Sequence, residues 1–131
     1  MLSLSLFCMD WDYTHIFNLK KDEKARVKIF KNDRAKLSGE LEFRWTLFVN
    51  EGLVLLVKYE GFPTQYVLYR RYQRDSVKIL IDKKPQKEWL ESYLLIKFQD
   101  FNLKRDIAVL KVFIKDPQKS INASFLDPKR K

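Results

Sequence analysis

The sequence has little of the residue types on which catalysis and metal binding depend. Its 131 residues contain one cysteine and one histidine, which excludes an intrachain disulfide and a structural zinc site built from nitrogen and sulfur ligands. With only three glycines, the chain carries no glycine-rich phosphate loop, and it has neither a dinucleotide-binding turn nor a nucleophile elbow. We therefore expect no catalytic residues, no cofactor and no metal.

Isolated side chains are the remaining candidates for an enzyme. Cys8 and His15 would lie on opposite faces of one straight strand, so a nucleophilic dyad is disfavoured. Asp10 and Asp12 would share a face, but solvated acids explain them more simply than a cation site does. An enzyme that uses Cys8 or the acids near Asp10 is the least favoured hypothesis.

Positive charge is in excess, and the formal net charge is +9. Such a charge favours encounter with nucleic acid, membrane surfaces or acidic proteins. The basic residues are dispersed, with eight in residues 20–36 and others in residues 83–87 and 129–131. This distribution fits general solubility better than a dedicated groove, unless the fold gathers these segments on one face.

The chain has no run of 18 apolar residues, and its first residues lack the basic start of a signal peptide. A single cysteine also suits a reducing compartment. These features predict a cytoplasmic protein without a transmembrane segment.

The dominant pattern has a period of two residues, which is typical of β-strands. In ELEFRWTLFV, a strand would place all five alternating apolar residues on one face: Leu41, Phe43, Trp45, Leu47 and Val49. Further strands are predicted at residues 2–7, 26–30, 53–59, 64–72, 76–81, 93–101 and 106–114. The last of these has apolar residues on both faces, which indicates a central strand or a surface that another chain covers.

Turn and helix signals complete the predicted fold. Asn50–Gly52 and Glu60–Pro63 are typical of turns, and Pro85 begins one short helix near residues 85–92. Residues 117–131 are polar and predict a mobile C-terminal tail. We expect one all-β domain over residues 1–116, an antiparallel β-sandwich or alternatively a small β-barrel, with that single helix.

The stretch LYRRYQR, residues 68–74, is the best candidate for a binding site. Arginine forms paired hydrogen bonds with phosphate or carboxylate, and tyrosine and arginine are frequent in protein interfaces. Charged residues also protect the edge of a sheet from unwanted pairing, which is the simplest alternative. The predicted binding residues are Arg70, Tyr72 and Arg74, followed by Tyr69 and Arg71.

The segment from Arg70 to Arg74, followed by a strand, resembles the R-x-x-x-R element of PilZ domains. Those domains are β-barrels that bind cyclic di-GMP, and the resemblance would imply that these two arginines hold its phosphates. It covers five residues of the chain. The family's second element, [DN]-x-S-x-x-G, is absent, and residues 100–105 are its nearest counterpart.

The leading hypothesis is therefore a non-catalytic binding or assembly module that uses a basic, tyrosine-rich strand surface. Its partner would be another protein or a second copy of the chain. The alternative is a β-barrel that binds single-stranded nucleic acid, with the arginines on phosphates and Tyr66 or Tyr69 stacked on a base.

Overall fold

The computed structural model describes residues 11–31, 37–71, 73–81 and 91–128. These residues contain nine β-strands and no helix. The strands are β1 (Tyr13–Lys20), β2 (Ala25–Lys31), β3 (Leu37–Val49), β4 (Gly52–Tyr59), β5 (Phe62–Tyr69), β6 (Ser76–Leu80), β7 (Tyr93–Asn102), β8 (Ile107–Lys115) and β9 (Ile121–Leu126). None of the described segments is a helix of the length and apolarity needed to span a membrane.

The strands form two antiparallel sheets. One has four strands in the order β1-β8-β7-β6, and the other has five in the order β5-β4-β3-β2-β9. The prediction of an all-β chain is confirmed. No pairing among the described strands joins one sheet to the other, so they do not close into the barrel that was the alternative prediction.

Aromatic rings connect the two sheets through their common core. Phe17 of β1 meets Phe43 of β3 with ring centroids 5.4 Å apart, and Trp45 of β3 meets Phe101 of β7 at 5.3 Å. The indole Nε1 of Trp45 also donates a hydrogen bond to the Leu19 carbonyl oxygen at 2.8 Å. The core therefore gains aromatic packing and leaves no unsatisfied indole N–H.

Two tight hairpins confirm the predicted turns of the five-stranded sheet. Asn50 and Glu51 join β3 to β4 with φ angles of 53° and 66°. Glu60 and Gly61 join β4 to β5 with φ angles of 52° and 88°. Two successive positive φ angles are what a two-residue type I′ hairpin requires, because this turn follows the twist of the flanking strands.

The alternation predicted for β3 is correct only as far as Trp45. Trp45 pairs with Leu55 and Leu47 pairs with Val54, so Thr46 is an extra residue that forms a β-bulge. Beyond it the two faces exchange: Leu47 is 50% exposed and Val49 is 51% exposed. The prediction that these two residues face the core with Trp45 is therefore wrong.

Phe48 occupies the inward position after the bulge. Its ring stacks on Phe101 at a centroid distance of 4.0 Å and meets Phe98 at 5.9 Å. A one-residue insertion changes the face of every residue that follows it in a strand. The bulge therefore places an aromatic ring in the core and two aliphatic side chains outside it.

Other predicted segments have different outcomes. β1 forms at Tyr13–Lys20, where no strand was predicted. β9 lies within residues 117–131, the segment predicted as a mobile tail, and it pairs with β2. Residues 2–7 and 82–90 lie outside the described residues, so most of the predicted helix does too, and Glu91 and Ser92 are not helical.

A buried carboxylate holds the connection from β8 to β9. Asp116 Oδ1 accepts hydrogen bonds from Ser92 Oγ at 3.0 Å and Ser120 Oγ at 3.2 Å, and Oδ2 accepts one from the Ile121 backbone N–H at 3.0 Å. The backbone N–H of Asp116 donates in turn to Asp12 Oδ2 at 2.6 Å. Asp116 therefore positions the first residue of β9 against the four-stranded sheet.

We expect Asp116→Ala to lower the free energy of unfolding by about 2–4 kcal/mol, because it leaves buried donors without an acceptor. Chemical denaturation followed by circular dichroism measures this change. The matched control is Asp127→Ala, which removes an exposed carboxylate paired with His15 and is expected to cost at most about 1 kcal/mol. Equal losses in the two variants would contradict a structural role for Asp116.

Candidate interaction surface

The predicted arginine-tyrosine stretch is mostly a loop. β5 ends at Tyr69, and the Tyr69 backbone N–H donates to the Arg74 carbonyl oxygen at 2.8 Å, which closes a short turn. Gln73 has a positive φ of 57° within this turn. The strand predicted to reach residue 72 is therefore shorter, and Arg70, Arg71 and Arg74 do not alternate along a strand. Tyr72 lies outside the described residues.

Arg70 is paired within the protein. Its Nη1 donates to Asp100 Oδ1 at 2.8 Å, and its Nη2 donates to Glu51 Oε2 at 3.1 Å. Its guanidinium also lies 5.7 Å from the centroid of the Phe98 ring. Asp100 belongs to the four-stranded sheet and Glu51 to a turn of the five-stranded sheet, so Arg70 joins the two sheets at this end.

Arg71 and Arg74 differ from Arg70 in their surroundings. Both are exposed, and neither forms an ion pair with the described residues. Of the three described arginines in this stretch, these two have guanidinium groups available to an external carboxylate or phosphate.

The two tyrosines of β5 lie on opposite faces of the sheet. The Tyr69 ring packs over Gly52 on the outer face, where a Cβ added to Gly52 would lie 2.9 Å from Tyr69 Cε1. Tyr66 is half-buried and packs against the core on the inner face. They therefore do not form one stacking surface, because side chains three residues apart in a strand point to opposite sides.

An exposed apolar row crosses the same outer face. Leu47 pairs with Val54, and Val54 pairs with Val67, so the three side chains lie next to one another on three adjacent strands. Leu47 is 50% exposed and Val67 is 44% exposed. With the flanking Val49 and Tyr69, these residues form what we call the apolar outer patch.

A shallow groove of about 440 Å³ continues from this patch along the strands. Arg44, Leu56 and Gln65 form the next cross-strand row after the patch, and all three line the groove. Arg44 Nη1 is paired with Asp22 Oδ1 at 2.9 Å. The surface thus changes from aliphatic near the Asn50–Glu51 turn to polar further along the sheet.

The sequence pattern assigned Leu47 and Val49 to the core and did not identify this patch. No local signal marks the bulge, because the extra residue is recognisable only from the pairing of β3 with β4. Val54 and Leu56 gave a weak signal, since the run LVLLV is apolar on both faces.

The candidates for catalysis form no assembled site in the described residues. Cys8 and Asp10 lie outside those residues, and Asp12 accepts hydrogen bonds from the Asp116 N–H and the Lys119 ammonium. His15 Nε2 lies 3.1 Å from Asp127 Oδ1, and its ring stacks on Phe125. No group of three or more His, Cys, Asp or Glu in the described segments could hold a metal ion.

Among the described tyrosines, Tyr59 has a hydroxyl with a raised pKa. Burial, together with the negative charge of Glu60, raises the pKa of Tyr59 to about 12. Its hydroxyl therefore stays protonated at neutral pH.

The chain matches no protein-family model, no curated protein and no solved structure. The PilZ-like element gains no support from these comparisons. Its first arginine, Arg70, is held by two carboxylates, and the described strands form two separate sheets instead of a barrel.

We expect Gly52→Ala to cost about 1–3 kcal/mol of stability, because the added methyl group overlaps the Tyr69 ring. In a Tyr69→Ala background the same substitution should be nearly neutral, since the overlap is gone. Denaturation of the two single variants and the double variant gives the coupling energy directly. An equal cost in both backgrounds would show that Tyr69 does not rest on Gly52.

Arg70→Gln should lower stability by about 1 kcal/mol, because it removes two ion pairs and an aromatic contact at a partly exposed site. Its cost should shrink at high salt, which screens such pairs. Arg71→Gln is the matched control and should change stability by less than about 0.5 kcal/mol. The interpretation of Arg70 as structural is wrong if the two variants are equally stable.

Proposed function

We propose that this protein is a non-catalytic binding module whose apolar outer patch docks a protein partner rich in carboxylates. The observation that carries the proposal is a cross-strand row on three adjacent strands, in which Leu47 and Val67 are exposed and the half-buried Val54 lies between them. A contiguous apolar patch bordered by polar groups is typical of a protein interaction site.

The burial of these side chains supplies part of the binding energy. Removing a whole leucine or valine side chain from water is worth about 1.5–3 kcal/mol. Leu47, Val49 and Val67 are each about half exposed, so each offers roughly half of that value. Tyr69 adds an aromatic ring beside them, and tyrosine is frequent among the residues that dominate interface energies.

The charges near the patch favour an acidic partner. Arg71 and Arg74 lie on the loop that follows Tyr69, and neither is paired with a carboxylate of the described residues. The chain as a whole carries +9. Carboxylates on the partner would orient it on these arginines and accelerate the encounter.

Binding of single-stranded nucleic acid by the arginine-tyrosine stretch is less well supported. Arg70 is engaged by Glu51 and Asp100. Tyr66 and Tyr69 lie on opposite faces of β5, so successive bases could not stack on both. This stretch therefore supports a protein contact better than a nucleic-acid groove.

A test compares binding of the full chain to poly-glutamate and to a random copolymer of glutamate and tyrosine. The copolymer offers both carboxylates and apolar groups, so it should bind at least about tenfold more tightly, a difference of about 1.4 kcal/mol. Leu47→Ser/Val67→Ser should abolish this preference. Leu103→Ser removes another exposed apolar side chain, 73% exposed in the β7–β8 turn, and should leave the preference intact.

Sedimentation velocity of the same proteins identifies the case in which the partner is a second copy. A wild-type dimer that becomes monomeric in Leu47→Ser/Val67→Ser would place the patch between copies of the chain. The proposal fails if wild type is monomeric and binds both polymers equally, or if the double variant behaves as wild type does.

A further inference from the structure

The outer face of the four-stranded sheet has a composition unlike that of the apolar outer patch. In β8, the side chains of Ala108, Leu110, Val112 and Ile114 are buried, so the intervening residues point outward. Cross-strand pairing places Lys111 opposite Lys97 and Phe113 opposite Leu95 on this outer side. Lysine and aromatic side chains are thus interleaved on one side of this sheet.

Three aromatic rings form a cluster on this face. Trp11 meets Phe113 with ring centroids 4.9 Å apart and meets Tyr93 at 6.0 Å in an edge-to-face arrangement. All three residues are partly exposed. The rings are therefore partly accessible, and the Trp11 ring contacts the other two.

Lysine side chains lie over these rings. Lys78 Nζ is 4.4 Å from the centroid of Tyr93, and Lys111 Nζ is 5.0 Å from the centroid of Phe113. Positive charge is consequently held next to exposed ring surface, in contacts of the cation–π type. We call the surface formed by Trp11, Lys78, Tyr93, Lys97, Lys111 and Phe113 the lysine-aromatic face.

The pairing of Lys97 with Lys111 carries a cost. Like charges directly opposite each other on adjacent strands are destabilising. Asp75 offsets Lys97 only loosely, with 3.9 Å between Nζ and Oδ2, and Lys111 forms no ion pair with the described residues. Proteins retain destabilising pairs of this kind mainly at sites where a function requires them.

The outward positions of this sheet carry more lysines than acids. The outward lysines are Lys20, Lys78, Lys97, Lys111 and Lys115. Two of them lie near carboxylates: Lys78 Nζ is 3.8 Å from Glu91 Oε2, and Lys97 Nζ is 3.9 Å from Asp75 Oδ2. A third acid, Asp100 of β7, is engaged by Arg70. The face is therefore net positive, and a bound anion would relieve the repulsion within it.

We infer that the lysine-aromatic face binds single-stranded nucleic acid, with bases stacked on the rings of Trp11, Tyr93 or Phe113 and phosphates on Lys97 and Lys111. Aromatic rings and cations on the face of a four-stranded sheet are a recurrent way of holding unpaired bases. A duplex is a poorer fit, because a flat sheet face does not enter a groove and paired bases present no free ring surface.

This inference is independent of the proposed function. The lysine-aromatic face and the apolar outer patch lie on the outer sides of two sheets that pack together through their inner sides. A protein partner and a nucleic-acid strand would therefore bind without competing. Either proposal can fail without affecting the other.

The test is fluorescence anisotropy of labelled oligo-dT and oligo-U, each 15 nucleotides long, at 50 and 200 mM salt, with duplex DNA as a competitor. Lys97→Gln/Lys111→Gln should weaken binding at least about tenfold at low salt. It should also flatten the slope of log K against log salt by roughly 1.4, the value for two phosphate contacts on a single strand. The control is Lys24→Gln/Lys104→Gln, which removes two exposed loop lysines and therefore the same net charge. It should weaken binding less than about twofold, because salt screens charges that lie far from the bound strand.

Trp11→Leu tests the stacking separately, because it leaves the charge unchanged. It should weaken binding several-fold while the salt slope stays as in wild type. The denaturation midpoint of each variant checks that it folds, and Lys97→Gln alone replaces the double variant if that variant does not. The inference is overturned by the absence of binding at 50 mM salt or by equal losses in the site and control lysine pairs. Tighter binding of duplex DNA or anionic vesicles than of the oligonucleotides overturns it too.

Discussion

Contacts between aromatic rings across the interior are the interaction on which the rest of this structure depends. Phe17 meets Phe43 and Trp45 meets Phe101, in each case with one ring from each sheet. A ring that fills the space between two sheets fixes which side of its strand points inward at that position. Once these inward positions are set, alternation and the bulge in β3 determine which strand side chains point outward, and the two proposed surfaces consist mostly of such side chains.

The bulge at Thr46 is the place where β3 departs from simple alternation. Continued alternation would bury Leu47 and Val49, but the extra residue turns them outward and turns Phe48 onto Phe101. Bulges commonly redirect side chains in this way. The core gains a stacked ring pair, and the outer face gains two aliphatic side chains next to Val54.

The two outer faces differ in chemistry although both belong to one basic chain. The apolar outer patch is a block of aliphatic side chains beside a tyrosine, which suits a protein surface. The lysine-aromatic face interleaves cations with rings, which suits a strand of nucleotides. At one end of the two sheets, Arg70 pairs with two carboxylates and joins the sheets. The neighbouring Arg71 and Arg74 meet no such pair of carboxylates among the described residues and face solvent.

Much of the fold could be predicted from the sequence, because a period of two residues and the chemistry of a tight turn are local. β2, β4, β7 and β8 lie close to the predicted strands, and the β3–β4 and β4–β5 turns occur where Asn50 and Gly61 indicated them. β9 was missed because a short edge strand with polar residues on one side resembles a tail.

The candidate surfaces were largely beyond prediction. The stretch around Arg70 could be recognised as unusual from the sequence. The pairing of Arg70 with Glu51 and Asp100 could not be predicted. The sequence by itself determined the class of fold, most of the strands and the positive charge. Only the tertiary structure decided which side chains share a surface, because strand register, the bulge and the approach of Lys97 to Lys111 depend on contacts between residues far apart in the chain.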